Sequence, residues 1–483
     1  MGSDHTTYSF FELLSNIVDN RGKTCPVNDT GFPLIATNCV KNDTLFPVFE
    51  KVRYVSQETY NTWFRGHPEP GDIIFVCKGS PGNVCWTPNP VNFCIAQDML
   101  AIRANKEIVD PKFLFALLRT PATQAKILNM HVGTLIPHFK KGDFKNLYFD
   151  IPNDMTLQKG IGNIYFTFCE KIELNRQMNS TLESMAQAMF KSWFVDFDPV
   201  IDNALAAGNP IPEPLYARAE NRKRLGDQRK PLPHEIQELF PDSFVLTEEL
   251  GWIPEGWEII ATEAISSKIG MGPFGSNIKV STFVDSGIPI ISGCHLNQTL
   301  LTDENYRYIT EEHALKLHNS IVIKGDLVFT HAGNIGQVSL IPETTKFRKY
   351  VISQRQFYLR PDTEKVMSSY LIYFFRSHIG QHRLLSNASQ VGVPSIARPS
   401  SHLKSIKLVL PDYDILKYFD KECLSIFDKL TSNNKQIDIA SSLRDTLLPK
   451  LISGQLRLPD SLIDKFSEQA DSHDAEQIIS EAI

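Results

Sequence analysis

The chain repeats itself. Gly71-Asp-Ile-Ile-Phe75 returns as Gly325-Asp-Leu-Val-Phe329, 254 residues later. Tyr54-Val-Ser-Gln-Glu58 returns as Tyr308-Ile-Thr-Glu-Glu312 at the same offset. Upstream, Gly31-Phe-Pro-Leu-Ile35 matches Gly287-Ile-Pro-Ile-Ile291 at 256. Downstream, Val132-Gly133 matches Val391-Gly392, and Ile151-Pro152 matches Leu410-Pro411, both at 259. A period this long is no solenoid; it is two copies of a unit of roughly 200 residues or more. The fold must therefore hold two similar cores and join them.

Each copy has the same two parts. The first carries short apolar runs punctuated by Gly, Pro and Asn, such as Asp72 to Cys77 and Asp326 to Thr330, and reads as strands and turns. The second begins after the Ile-Pro or Leu-Pro stop and turns helical. In copy one, Ile161, Ile164, Phe168 and Ile172 lead to Met178, Leu182, Met185 and Met189. In copy two, Leu416, Phe419, Cys423, Ile426 and Leu430 lead to Ile437, Leu443, Leu447 and Leu451. Steps of three and four give each helix one apolar stripe. Met155 to Phe194 alone spans about 60 Å if continuous. A long helix with a narrow stripe needs a partner, and the other copy supplies one. The expected fold is α+β: two β-rich domains alternating with two long helices, paired as an antiparallel coiled coil about a pseudo-twofold axis. Asn175, Gln177, Asn434 and Gln436 interrupt the stripes at similar depth; they either fix the register or are plain exposed polar residues.

Composition adds exclusions. With 483 residues, 42% hydrophobic and 22% charged, the chain is neither collagen-like, nor disordered, nor a cysteine-stapled miniprotein. No run approaches the ~18 apolar residues of a membrane helix, and the first residues lack a secretory signal's basic region and apolar core, so a cytoplasmic location is expected. The eight cysteines form no C-x-x-C pair and read as reduced thiols. Cys77, Cys85, Cys94 and His67 have spacings that match no common zinc pattern. The net charge is −6, but the stretch 459–483 holds seven acids against Lys465 alone. Without it, 48 of the 49 bases face 48 of the 55 acids. A neutral body can still carry a basic face.

Familiar catalytic signatures are missing. Neither Asn89-Pro90 nor Asp198-Pro199 is followed by the second Pro of an adenine methyltransferase motif. Ile17 stands where a P-loop ending at Gly22-Lys23-Thr24 needs Gly. There is no Glu-x-Lys, G-x-S-x-G or H-E-x-x-H. Gly270-Met-Gly-Pro-Phe-Gly275 has dinucleotide-loop spacing, but Pro273 intrudes where the helix would open. No catalytic centre is expected.

The second copy runs Phe240-Pro-Asp-Ser-Phe244, Leu250-Gly-Trp-Ile-Pro-Glu-Gly-Trp257, Gly272-Pro-Phe-Gly-Ser276, Gly287-Ile-Pro289, Gly325-Asp326 and Gly392-Val-Pro-Ser395. It closes with Leu447-Leu-Pro-Lys-Leu451 and Ser453-Gly454. In that order, over nearly the whole chain, these motifs resemble the specificity subunit of a type I restriction–modification enzyme. Copy one departs from the pattern: it lacks the Pro-x-Gly-Trp and Pro-Phe-Gly-Ser motifs, and its later loop reads Gly133-Thr-Leu-Ile-Pro137. The resemblance implies residues 1–152 as one target-recognition domain and 153–197 as a central helical spacer. It implies 198–250 as linker, 251–411 as the second recognition domain, 412–458 as a second helical spacer and 459–483 as an acidic tail. The basic cluster Asn221-Arg-Lys-Arg224 in the linker reads as a solvated charge run.

The resemblance also implies a bipartite double-stranded DNA target, one half-site per domain, with the helix pair as a ruler. Partners would be two modification subunits and, for cleavage, restriction subunits. S-adenosylmethionine, ATP and Mg would be held by those partners and none by this chain. Bases are read by paired donors and acceptors in the major groove, so candidate readers lie on polar loops. In copy two they are Ser276, Asn277, Lys279, His331, Asn334, Gln354 and Arg355; in copy one, Lys78, Ser80, Asn83, Thr134, His138 and Lys140. Each could instead cap a turn or face water. Gly71, Gly325, Gly133 and Gly392 are expected to be structural. Late in the helices, Met185, Met189, Phe190, Trp193, Phe194 and Leu447, Leu448, Leu451, Ile452 either dock partners or pack on the chain's own domains. A non-DNA interaction scaffold, or a methyltransferase with an unrecognised site, stand as alternatives.

Overall fold

The computed structural model describes residues 5–20, 24–130, 137–226, 232–389, 392–457 and 459. It divides into two units: Met1–Gln177 with Asn433–Ile483, and Met178–Ser432.

The first unit is built on an antiparallel sheet in the order Leu14–Asp19, Met99–Ala104, Ile73–Val76, Val84–Trp86. The second repeats it as Ser266–Met271, Gln356–Pro361, Leu327–Thr330, Val338–Leu340. Registers match too: Ile73 faces Trp86 and Leu327 faces Leu340. Each unit adds a second sheet with one parallel pairing, Leu34 to Cys94 and Ile290 to Val351. Each also has two short helices, Pro111–Arg119 and Pro121–Met130 in the first, Ser368–Arg376 and His378–Leu385 in the second. In the second unit this added sheet has one more strand than in the first, Ile321–Ile323.

The repeated Gly-Asp has a physical cause. Gly71 and Gly325 have φ of +86° and +84°, a left-handed turn that glycine tolerates best. The next residue is a buried carboxylate, Asp72 or Asp326, 2% and 1% exposed. Asp72 accepts two bonds from Arg103, at 2.8 and 3.0 Å, and Asp326 two from Arg360, at 2.8 and 2.7 Å. Each also caps its own turn, accepting from Glu69 N or Ile323 N. The arginine comes from the neighbouring strand, so the pair locks turn, strand and register together.

Two 40-residue helices, Met155–Phe194 and Tyr413–Ile452, occupy the stretches of helical periodicity. In the first unit, residues 155–177 pack with 433–452. Asn175 donates to Gln436 at 3.4 Å, while Tyr165 and Cys169, earlier in one helix, face Arg444, later in the other. The pairing is therefore antiparallel. Asn175 is buried and reaches across, a polar register contact; Gln177 instead donates to Glu173 on its own helix. In the second unit, Phe190 and Phe194 pack edge-to-face with Phe419, with ring centroids 6.0 and 5.0 Å apart. The late apolar residues Phe190, Trp193, Phe194, Leu447, Leu448 and Leu451 are all buried in their own unit's core. Met185 stays exposed.

Of the stretch read as linker, 198–250, the described residues 198–226 and 232–250 are folded. They form helices Asp198–Ala207, Tyr216–Leu225 and His234–Gln237 and the strand Phe244–Thr247, which pairs with Gly251–Pro254. Val200, Ile236 and Phe240 enter the second unit's core. The basic cluster is no free charge run either. Arg222 pairs with Asp202 and, at 3.2 Å, with Asp198. Arg218 donates twice to Asp198, at 2.7 and 2.6 Å. The prolines punctuate helices here; they do not prevent them.

Breaking a buried pair leaves one charge uncompensated, whereas an exposed pair is worth little. Asp326→Ala is expected to lower unfolding stability by about 3 kcal/mol or more. Lys223→Ala, which removes an exposed partner of Glu220, should cost less than about 0.5 kcal/mol. Urea denaturation of both variants checks this contrast.

Candidate nucleic-acid interface

In each unit, the end of the central sheet strand opposite the Asp–Arg pair delivers a polar loop. In the first unit, Lys78 bridges His138, Gly79 N donates to Pro137 O at 3.0 Å and Phe139 N to Cys77 O at 2.8 Å. In the second, Ala332 bridges Ser395, Gly333 N donates to Pro394 O at 2.9 Å and Ile396 N to His331 O at 2.8 Å. The same zipper, built twice, places a late loop against an early one.

Lys78, Ser80 and His138 are thus gathered, all partly exposed, with exposed Lys140 just beyond. Asn83 lies close by, but its amide donates inward to Val40 O at 3.1 Å and its carbonyl accepts from Val76 N. Thr134 lies outside the described residues.

In the second unit, His331 N donates to Arg355 O at 2.9 Å, and His331 Nε2 donates to Gln354 O at 3.2 Å. This ties His331 to exposed Gln354 and Arg355. Asn334 is exposed at the loop tip. Gln354 stands between two grooves. One, of 620 Å³, is walled by Lys268, the Gly270–Gly275 loop, Asn319 and His331. The other, of 530 Å³, is walled by Val280, Ser292, His295, Asn305 and Arg307. Asn277 and Lys279, both exposed, lie on the segment that joins them. Ser276 is in the same segment; its side chain lies outside the described residues. No Asp or Glu lines either groove among the described residues.

Gly272 makes this wall possible. A Cβ there would lie 1.9 Å from Ser353 O, so only glycine lets the loop pack on the Ser353–Gln356 turn. The loop then carries Phe274 out into solvent, 84% exposed. Val280 and Val393 are likewise exposed, at 82% and 63%. Lys268, Asn319, Arg307 and Phe274 were not among the residues expected from sequence. The first three come from distant segments with no motif. Phe274 sat in a visible motif, but its exposure depends on Gly272's close approach.

Among the described residues no cluster of three His, Cys, Asp or Glu could hold a metal, and no helix is long and apolar enough to cross a membrane. Burial holds the pKa values of His67, His295 and His331 below the ordinary histidine value, so these rings are neutral at pH 7. The unfolded chain then binds protons more readily than the folded one. Their contribution to stability is complete above the unfolded pKa near 6.5 and is lost as pH falls below it through the lower folded pKa.

A family model described as "Type I restriction modification DNA specificity domain" matches residues 11–184 and 276–440. The HindI specificity subunit of Haemophilus influenzae is 28% identical over 416 residues, 80% of this chain and 86% of that one. The MjaIX specificity subunit of Methanocaldococcus jannaschii is 23% identical, over 81% of this chain and 78% of that one. The crystal structure of a type I restriction–modification S subunit from M. genitalium superposes with a TM-score of 0.52, covering 95% of this chain and 98% of that one at 14% identity. That likeness extends the shared fold over both copies.

Thermal melts at pH 7.5 and 5.5 test the histidine account. The lower pH should reduce Tm on the order of a few degrees, and His331→Gln should narrow the difference.

Proposed function

Because the chain belongs to the type I restriction–modification DNA specificity family, we propose that each of its two units reads one half of a split DNA target through the loop cluster just described. The observation that carries this is the second unit's surface: two grooves sharing Gln354, walled by lysine, arginine and amide side chains and by no carboxylate among the described residues. Phosphates meet the cations and position the domain. Base edges meet the paired donors and acceptors of Gln354, Asn277 and Asn334, and Arg355 suits guanine. Phe274 and Val280, apolar and exposed, suit a thymine methyl group. In the first unit Lys78, Ser80, His138 and Lys140 hold the corresponding place; Asn83 supports their loop from behind. Thr134 and Ser276 stay candidate readers on their sequence positions alone.

The helices serve as ruler and scaffold. Two modification subunits dock on the chain and carry S-adenosylmethionine to a flipped adenine; restriction subunits with ATP and Mg join for cleavage. The complex works in the cytoplasm. This chain supplies recognition and no catalytic group.

Two experiments separate these roles. Gln354→Ala with Arg355→Ala should relax base preference in one half-site only, by about 1–3 kcal/mol for each bidentate base pairing removed. Profiling methylated sites checks this; equal relaxation of both half-sites would contradict one-unit, one-half-site reading. Inserting four residues in each helix, beside Asn175 and Asn434, lengthens the arm by about 6 Å, close to two base pairs. The methylated motif should then show a longer unread spacer. An unchanged spacer would sink the ruler.

A further inference from the structure

The repeat sets one further pair of residues at equivalent places. From Tyr54 to Gly71 and from Tyr308 to Gly325 the copies align without a gap, at an offset of 254. The structure holds this alignment at both ends. The helices Gln57–Thr62 and Glu311–Lys316 begin alike. Ser56 Oγ accepts from Thr59 N at 3.1 Å, and Thr310 Oγ1 from His313 N at 3.2 Å. At the far end Asp72 and Asp326 accept from Glu69 N and Ile323 N, at 2.8 and 2.9 Å. Between these fixed points Arg65 corresponds to Asn319, and Gly66 to Ser320.

Both copies tie this connection to the end of the central sheet's first edge strand, Leu14–Asp19 or Ser266–Met271. In the second unit Ser320 Oγ donates to Met271 O at 2.8 Å. Gly66 has no side chain to do this, and the bond comes from the strand side instead. Asn20, just past the strand, donates to Gly66 O at 3.1 Å and accepts from Arg65 N at 2.9 Å. Asn319 O in turn accepts from Tyr358 Oη at 3.3 Å. The main chain at both residues is therefore held. Asn319 is exposed and lines the groove that also holds Gln354 and His331. Arg65 is exposed too. Beside its anchor Asn20, Asp19 meets Lys141 at 3.8 Å, and Lys141 directly follows the loop residue Lys140. Arg65 thus borders the first unit's loop cluster. The carboxylates next to it are engaged, Asp19 by Lys141 and Glu69 by Arg103 at 2.9 Å. Neither Arg65 nor Asn319 has a side-chain partner among the described residues.

We propose that Arg65 and Asn319 are equivalent base-reading residues, one in each unit, and that they make the two half-sites differ at one position. Arg65 selects guanine through O6 and N7; Asn319 selects adenine through N6 and N7. A held backbone bearing a free planar side chain is what a bidentate base contact requires. The inference rests on the reading of one half-site per unit given above.

The test uses the complex of this chain with its modification subunit. Methylation profiling gives the target, and the half-site that Gln354→Ala with Arg355→Ala leaves intact is the first unit's. Binding is then measured to duplexes with each base pair of both half-sites changed singly. Arg65→Ala is expected to lose discrimination, roughly 10-fold or more, at one G·C pair of the first half-site and nowhere else. Asn319→Ala should do the same at one A·T pair of the second. Arg65→Asn should move the preference at its position from guanine to adenine, a gain that a misfolded variant cannot show. Equal weakening on every duplex, restored by Arg65→Lys, would assign Arg65 to a phosphate and overturn the proposal. So would a first half-site without a G·C pair. Unchanged discrimination in the Arg65 variants, while Gln354→Ala with Arg355→Ala still relaxes its own half-site, would overturn the proposal and leave the half-site reading standing. A double variant that relaxes both half-sites, or neither, would refute that reading and this inference with it.

Discussion

A buried carboxylate held by two bonds from one guanidinium sits at the root of each unit. Asp72 with Arg103, and Asp326 with Arg360, fasten the turn that begins the central strand to the strand beside it. A one-residue slip would exchange the residues on the strand's two buried faces; the bidentate pair, with its fixed fork geometry, opposes that slip. The strand then runs four residues and ends at the loop that carries Lys78 or His331. Anchoring one end of a short strand positions the other.

The helices answer a different constraint. Each 40-residue helix carries one apolar stripe and cannot stand alone in water. The halves within each unit meet antiparallel, and the aromatic ends fold into the local core, so Phe190, Trp193 and Phe194 serve the chain's own packing. Asn175, buried and bonded to Gln436, gives up some apolar burial for a defined register.

Much of this was legible because it is periodic or duplicated. The repeat, the helices and the turn glycines are local patterns; the arginine partners of Asp72 and Asp326, 31 and 34 residues further on, are not. The inter-repeat segment was not legible. Its prolines and glycines carry the composition of a linker, yet Val200, Ile236 and Phe240 find partners far along the chain in the second unit's core. The candidate interface was half legible. Gln354, Arg355 and His331 were visible as loop polarity, but the wall that makes a groove of them comes from Lys268, Asn319 and a glycine too close to Ser353 for any side chain. Asn83 shows the converse: a polar loop residue whose amide turns inward to hold the fold.

If this chain chooses the DNA sequence on which its complex acts, removing it must change which sites are methylated. The most direct test maps adenine methylation across the genome of cells that carry this chain with its modification subunit, against the same cells lacking this chain. One split motif, two short half-sites around a fixed unread spacer, is expected to lose methylation in the deletion and regain it on complementation. Methylation of every motif unchanged by the deletion, in an otherwise active complex, would contradict that role.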